Sequence, residues 1–224
     1  MIVADRKPLD EILQMLAPYK KVLVLACGGC VTVCLTGGEK QADELASQLR
    51  LAAKDKGLDL SIDVDCITRQ CDREFIANLK NDPSQYDAVL SIACGVGVGF
   101  MGEVFPASRF LPGLNTTFYG ASTAPGTWAE YCHGCGECVL DQTAGICPMA
   151  RCSKSLINGA CGGTNDGKCE VSKDMDCAWY VIYKRLASVG RLEDLRKMRC
   201  PRDWSKDRGK GVRRLTHKEM TAIE

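Results

Sequence analysis

The sequence predicts an α/β protein in which a small parallel-sheet domain precedes a cysteine-rich metal-binding segment with a closing helix. In the first part, short apolar runs alternate with stretches whose apolar residues recur at helical spacing. In the second part, eight cysteines fall between positions 132 and 177, and no long apolar pattern returns before position 176. We therefore expect an α/β domain over 1–126, a cysteine-rich domain over 127–190, and a helix with a basic tail over 191–224.

The strands and helices of the first part follow from local patterns. The run KVLVLA at 21–26 is apolar and is soon followed by two glycines, which indicates a buried strand. Leucine and alanine recur at helical spacing over 39–56, and Gly57 is a suitable helix stop. Strands are also predicted at 58–64, 87–93 and 114–119, and helices at 72–80 and 97–105. Because strands and helices alternate, crossovers should join the strands into a parallel, Rossmann-like sheet.

The second part cannot build a hydrophobic core of ordinary size, because glycine and cysteine dominate it up to position 176. Segments of this kind are usually held together by bound metal. Apolar residues share one face of a predicted helix over 176–189, and Gly190 is placed to end it. A further short helix is predicted over 191–198.

Composition narrows the class of protein. The chain has 29 Lys and Arg against 28 Asp and Glu, a balance that argues against nucleic acid or an anionic membrane as the main partner. The start lacks a signal-peptide pattern, and the longest apolar run, at 22–27, is too short to cross a membrane. We expect a cytoplasmic protein in which those of the 15 cysteines that lie at short spacings are metal ligands or redox groups rather than disulfides. Their odd number also fits a complete disulfide pairing poorly.

Cysteines in the first part follow the ends of three predicted strands. Cys27 lies just after the first strand, Cys71 follows the second and Cys94 follows the third. Because carboxyl ends of parallel strands meet at one edge of a sheet, these thiols should converge there. The predicted ligands of a [4Fe–4S] cluster are Cys27, Cys30, Cys71 and Cys94. Cys34 is the alternative fourth ligand, and Cys66 is expected only to pack. Zinc, or cysteines that merely pack as apolar groups, are the alternatives.

A second cysteine group opens with C-x₂-C-x₂-C and contains a later Cys-Pro pair, as bacterial ferredoxins do. The interval between positions 138 and 147 is longer than ferredoxin spacing, so the match is partial. Eight cysteines suffice for two four-thiolate sites, and both iron–sulfur clusters and zinc fit these spacings. His133 is expected outside the ligand set, since thiols are abundant. The predicted ligands are Cys132, Cys135, Cys138, Cys147, Cys152, Cys161, Cys169 and Cys177.

Two further patterns carry less weight. The dinucleotide-binding pattern G-x-G-x-x-G occurs at 97–102, but Pro106 shortens the helix and no strand-end acid follows at the usual interval. We expect these glycines to make room beside Cys94 instead. The basic stretch 196–218 is either a solvated tail or a segment that docks onto an acidic partner.

No catalytic triad, paired-carboxylate motif or phosphate-binding loop is present in the sequence, so no catalytic residue is predicted.

Several of these motifs together resemble one family over about residues 20–205. The motifs are CGxCxxxCLxGGE at 27–39, RQCD at 69–72, ACGVG at 93–97, CxxCGECVL at 132–140, GICPxxRCxKxLxNGxCGG at 145–163, GKCEV at 167–171 and CAW at 177–179. They are similar to the methylenetetrahydrofolate reductase C-terminal domain family, the MetV-type small subunit. Ala160 stands where the family has proline, and Cys66 lies outside the motifs.

The resemblance implies an iron–sulfur electron-transfer subunit that carries one or more [4Fe–4S] clusters, with zinc as a further candidate. Its expected partner is a flavin-containing (FMN or FAD), MetF-type catalytic subunit that reduces methylenetetrahydrofolate. Further electron-donor subunits are possible partners, and neither nucleic acid nor membrane insertion is expected. The residues leave two other functions open. One is a zinc-stabilised structural or interaction module of an enzyme complex. The other is a stand-alone flavin- or nucleotide-binding reductase that uses 97–102.

Overall fold

A computed structural model describes residues 1–206, which belong to two compact units, Met1–Trp128 and the segment from Ala129 onward. The strands up to this boundary are β1 (Ile2–Arg6), β2 (Lys21–Cys27), β3 (Ser61–Ile67), β4 (Ala88–Ile92), β5 (Phe110–Pro112), β6 (Leu114–Tyr119), β7 (Ala121–Ala124) and β8 (Thr127–Ala129). The helices are α1 (Leu9–Leu16), α2 (Cys30–Val33), α3 (Glu39–Asp55), α4 (Arg73–Ile76) and α5 (Gly95–Val104). No helix within 1–206 is both long enough and apolar enough to span a membrane.

The centre of the first unit is a parallel sheet of four strands in the order β3-β2-β4-β5. Strand β2 lies inside it, and its alternate side chains face two apolar layers. Val22 and Val24 belong to the core formed with α1 and α3, whereas Leu23 and Leu25 belong to the core on the side of α4 and α5. The predicted α/β class with a parallel sheet is therefore confirmed.

The predicted strand at 114–119 exists, but its place in the sheet was wrong. Strand β6 pairs antiparallel with β1 in a separate two-stranded sheet, and the fourth parallel strand is the short β5. The parallel sheet carries apolar side chains on both faces, whereas β6 exposes the polar side chains of Asn115, Thr116 and Thr117. A strand with that composition is poorly suited to burial between two layers.

Two other elements are displaced or shortened. The strand predicted at 58–64 runs over Ser61–Ile67, and the helix predicted at 72–80 is reduced to α4. The Asp72 side chain accepts the Glu74 N–H and so caps the start of α4. Farther on, the buried Asp65 carboxylate accepts the N–H groups of Lys80 and Asn81 at 2.9 and 3.0 Å. These bonds hold the peptides of Lys80 and Asn81 outside the predicted helix, which ends at Ile76.

The second unit contains little regular structure. Its elements are α6 (Pro148–Arg151), β9 (Lys168–Cys169), β10 (Ser172–Asp176) and α7 (Ala178–Ser188), with 3₁₀ turns at Leu192–Arg196 and Trp204–Lys206. The helix expected at 176–189 is thus present as α7, and the one expected at 191–198 is a 3₁₀ turn. Two small apolar clusters form here, one around Trp179 and Ile182 on α7 and one around Cys135, Cys147 and Met149. Their small size agrees with the absence of a long apolar pattern.

Candidate metal centres

Three strand ends place cysteines at the carboxyl edge of the parallel sheet. Cys27 is the last residue of β2, and Cys94 directly precedes the first turn of α5 after β4. Cys71 lies in the loop after β3, and Cys30 begins α2, immediately after the turn that follows β2. Cys27 and Cys94 are each 8% exposed, whereas Cys71 lies at the surface.

Cys71 lies within electrostatic range of the other three thiols at this edge. Burial raises the pKa of the Cys71 thiol, and the nearby thiols of Cys27, Cys94 and Cys30 raise it further. A negative charge at Cys71 is therefore disfavoured by repulsion from the neighbouring sulfurs. Such mutual repulsion is what a bound cation or cationic cluster relieves.

Cys34 and Cys66 lie differently. The Cys34 thiol is turned into the helical turn, where it lies 3.5 Å from the Cys30 carbonyl and 3.6 Å from the Val31 carbonyl. Cys66 packs at the margin of the larger core, and burial, followed by the charge of Glu39, raises the pKa of its thiol. The orientation of the Cys34 thiol favours the set of four at the strand ends over a set that includes Cys34. Cys27 also raises the pKa of Cys66, so Cys66 lies near this group as well.

A buried amide that the sequence analysis did not single out connects the strand ends. Gln70 is fully buried, and its Nε2 donates to the carbonyls of Leu25 and Ala26 at 3.0 and 3.1 Å. Its Oε1 accepts the Ser91 hydroxyl at 2.6 Å. Gln70 precedes Cys71 and bonds to the ends of β2 and β4, so one side chain links all three cysteine-bearing strand ends. In the sequence, the place of Gln70 beside Cys71 in the RQCD motif could have drawn attention to this residue.

Glycine at position 97 is required by this network. A Cβ at Gly97 would lie 2.9 Å from the Ala93 Cβ and 3.0 Å from the Gln70 Cβ, whereas Gly99 and Gly102 face open space. The first turns of α5 therefore approach Gln70 closely at this one glycine of the pattern. Of the glycines in the G-x-G-x-x-G pattern at 97–102, Gly97 is therefore explained: α5 packs at this position against the loop that carries Cys71.

In the second unit, four cysteines surround one small cavity. The cysteines that line it are Cys152, Cys161, Cys169 and Cys177. Thr164, Glu170 and Trp179 are among the other residues that line it, and its volume is about 20 Å³. Sequence spacing left the grouping of the eight later cysteines open, and this cavity joins the last four.

Polar side chains contact the sulfurs of this group. The Thr164 hydroxyl donates to the Cys177 Sγ at 2.9 Å, and the Ser153 hydroxyl lies 3.8 Å from the Cys169 Sγ. Hydrogen bonds from the Val171 backbone and then from Ser153 lower the pKa of the Cys169 thiol. Donors aimed at sulfur stabilise thiolates, the form in which cysteine binds metal.

The remaining cysteines of the second unit are less closely grouped. Cys135 and Cys147 pack in one apolar cluster with Met149, and Cys132 accepts the Gly134 N–H at 3.3 Å. Cys138 is exposed and lines a different, larger cavity. Of these four predicted ligands, the structure thus brings Cys135 and Cys147 together and leaves Cys132 and Cys138 at the surface.

The chemistry of these groups fits iron–sulfur clusters or zinc, because sets composed of thiolates alone select those metals. Among residues 1–206, no three Cys, His, Asp or Glu side chains adopt the close spacing of a bound metal ion. The groups are therefore neighbouring thiols rather than finished ligand cages. Their assignment as ligands remains a prediction.

Comparison with known proteins adds one finding. Residues 111–205 match a family model described as the C terminal of methylene-tetrahydrofolate reductase. The matched range contains all eight cysteines from 132 to 177 and none of those at the edge of the parallel sheet. The resemblance to this reductase family that the later motifs predicted is therefore confirmed over residues 111–205. No match is found among curated proteins or among solved structures.

Proposed function

We propose that the chain is an iron–sulfur electron-transfer small subunit of a two-subunit methylenetetrahydrofolate reductase, working in the cytoplasm. The observation that carries the proposal is the family match over 111–205, which spans all eight cysteines of the second unit. The placement of four further cysteines at the carboxyl edge of the parallel sheet supports it independently. When bound, iron–sulfur clusters supply one-electron transfer at thiolate-ligated iron.

In this proposal the sheet edge holds one [4Fe–4S] cluster through Cys27, Cys30, Cys71 and Cys94. Burial of Cys27 and Cys94 keeps water away from one side of the site, and the exposed Cys71 leaves the other side accessible to a partner. Gln70 keeps the strand ends at a fixed separation. These residues bind and position the group, and folate reduction takes place on the partner.

The second unit holds the remaining metal. Cys152, Cys161, Cys169 and Cys177 form one ligand set, and the Thr164 hydroxyl stabilises the Cys177 thiolate. Cys132, Cys135, Cys138 and Cys147 form the other. The proposed partner is a flavin-bearing catalytic subunit that receives the electrons, and the basic stretch that begins at Arg196 is the proposed strap between the two chains.

Co-expression with a flavin-bearing reductase subunit tests the proposal. We expect the two chains to co-purify as a stable heterodimer that couples a reduced viologen to methylenetetrahydrofolate reduction. The isolated chain should carry iron and sulfide but leave the folate unreduced. Folate reduction by the isolated chain would contradict the electron-relay role, and two chains that never co-purify would contradict the subunit assignment.

One observation favours a second candidate, a zinc-stabilised structural module. The cavity bounded by the last four cysteines has a volume of only about 20 Å³, which suits a single ion better than a four-iron cluster. Metal analysis of the Cys161→Ser variant separates the two candidates. Loss of zinc alone would identify this group as a structural zinc site, whereas loss of about four irons would identify a [4Fe–4S] cluster.

A further inference from the structure

An ion pair lies in the wall of the cavity that the last four cysteines surround. Both of its members, Lys154 and Glu170, line this cavity. The Lys154 ammonium contacts the Glu170 carboxylate, and the two side chains are 42% and 41% exposed. An ion pair with this exposure adds little to the stability of a fold. Its position beside the sulfurs therefore needs another explanation.

Glu170 also contacts one of the cysteines. Its Oε1 accepts a hydrogen bond from the Cys161 thiol at 3.5 Å. Cys161 is exposed and lies in the glycine-rich loop 159–163, which contains neither helix nor strand. The hydrogen bond therefore orients a thiol that lies in an irregular segment.

Gly163 leaves the space that the Glu170 side chain occupies. A Cβ at this position would overlap the Glu170 carboxylate and lie 2.9 Å from its Cγ. Glu170 itself lies in the turn between β9 and β10, directly after Cys169. The glycine-rich loop and this hairpin turn therefore fit together at the carboxylate, which brings it to Cys161.

The partner of Cys161 differs in kind from the partner of Cys177. The Thr164 hydroxyl donates to the Cys177 sulfur, whereas an ionised carboxylate can only accept. When Cys161 binds metal as a thiolate, its proton passes to solvent and its hydrogen bond to Glu170 is lost. Two negative charges then lie side by side, and they repel each other unless a cation neutralises the carboxylate. Lys154 is placed to be that cation.

We propose that Lys154 is a positioning residue of this metal group, which neutralises Glu170 so that the Cys161 thiolate can hold metal beside a carboxylate. Glu170 orients Cys161 in the metal-free chain, and Lys154 removes the repulsion that arises once metal is bound. The inference rests on the ligand set of the proposed function. It holds for a zinc ion as for a cluster, because thiolates bind both.

Metal release from the full chain, purified without oxygen, tests the inference. The metal missing from Cys161→Ser identifies the share that this group binds, and a chromophoric chelator measures how fast that share leaves each variant. We expect Lys154→Met to release it about tenfold faster than the wild type, since residues that support metal ligands have effects of this size. Lys154→Arg should stay close to the wild type, because it keeps the charge.

A second substitution tests whether the charge of Glu170 is the cause. Glu170→Gln removes that charge and provides an amide that can donate to sulfur. Combined with Lys154→Met, it should return the release rate to nearly that of the wild type. If Lys154→Met is isolated without this share of metal, restored metal content in the double variant replaces the rate as the measurement.

The matched control is Lys168→Met. Lys168 pairs with Asp176 at 2.7 Å on the same hairpin, is 46% exposed and does not line the cavity, so its variant should release metal as the wild type does. Circular dichroism establishes that each variant is folded. The inference is wrong if Lys154→Met releases metal at the wild-type rate, or if the double variant is as fast as Lys154→Met. It is also wrong if Lys168→Met is equally fast.

Failure of the proposed function gives a different result. A wild-type chain that loses no metal on the Cys161→Ser substitution would overturn the ligand set, and this inference with it. Equal release rates from the wild type and Lys154→Met would overturn this inference alone. The iron content and the partner assays would then still judge the proposed function.

Discussion

At the residue scale, Cys94 is a predicted ligand and Cys66 is its matched control. Cys94 lies at a strand end among the thiols that interact with Cys71, whereas Cys66 packs at the margin of the core. We expect Cys94→Ala to remove about four irons per chain, because a [4Fe–4S] cluster needs its fourth thiolate. Cys66→Ala should keep the full iron content. Iron and acid-labile sulfide analysis measures both, and an unchanged content in Cys94→Ala would refute the ligand assignment.

Gln70 yields a second prediction at this scale. Gln70→Met keeps the side-chain volume but leaves the Ser91 hydroxyl and two strand-end carbonyls without their partner. We expect a loss of about 1–3 kcal/mol in the free energy of unfolding, together with weaker iron retention and a shifted midpoint potential at the sheet-edge site. The exposed Gln48→Met is the control and should change neither. A lower melting temperature with unchanged iron content and midpoint potential would show that Gln70 only stabilises the fold.

At the element scale, two glycines of α5, Gly97 and Gly99, allow the close packing of this helix on Gln70 to be tested. Gly97→Ala would place a methyl group 2.9 Å from the Ala93 Cβ, whereas the same change at Gly99 meets nothing within 4 Å. We expect Gly97→Ala to lower the free energy of unfolding by about 1–3 kcal/mol. Gly99→Ala should raise it by about 0.5–1 kcal/mol, since alanine favours the helix. Denaturant unfolding measures both; equal effects would show that α5 does not pack on Gln70 as described.

The second unit depends on metal in this account. Its two apolar clusters are small and include several cysteines, so thiolate ligation should supply much of the folding free energy. Chelation or oxidative loss of metal should expose 129–206 to limited proteolysis while the parallel sheet of the first unit stays protected. An identical cleavage pattern with and without metal would contradict this dependence.

Local patterns could predict some elements and not others. The apolar run of β2 and the helical spacing of α3 are local features, and both elements were predicted within a residue or two. Strand β6 was assigned to the wrong sheet because its partner β1 lies more than a hundred residues earlier. The role of Gln70 was missed for a similar reason, since the carbonyls it binds are 44 and 45 residues away. The grouping of the last four cysteines likewise needed the folded chain.

At the scale of the whole molecule, the basic tail is the part expected to reach a partner. Residues 207–218 of that predicted stretch lie outside the described residues. Deleting 207–224 should weaken co-purification with the flavin subunit while the iron content stays the same. A tail of equal length in which Arg213 and Arg214 are replaced by glutamine serves as the charge control and should also pair weakly. Full pairing by the deletion variant would show that the tail is a solvated extension.

The central claim, that the thiol groups hold iron–sulfur clusters for electron transfer, is tested most directly by metal analysis of the chain purified without oxygen. The account predicts brown protein with at least about four irons and four sulfides per chain. It also predicts a partial, reversible loss of the visible absorbance on reduction with dithionite. Colourless protein that contains zinc and neither iron nor sulfide would contradict the claim and would favour the structural module.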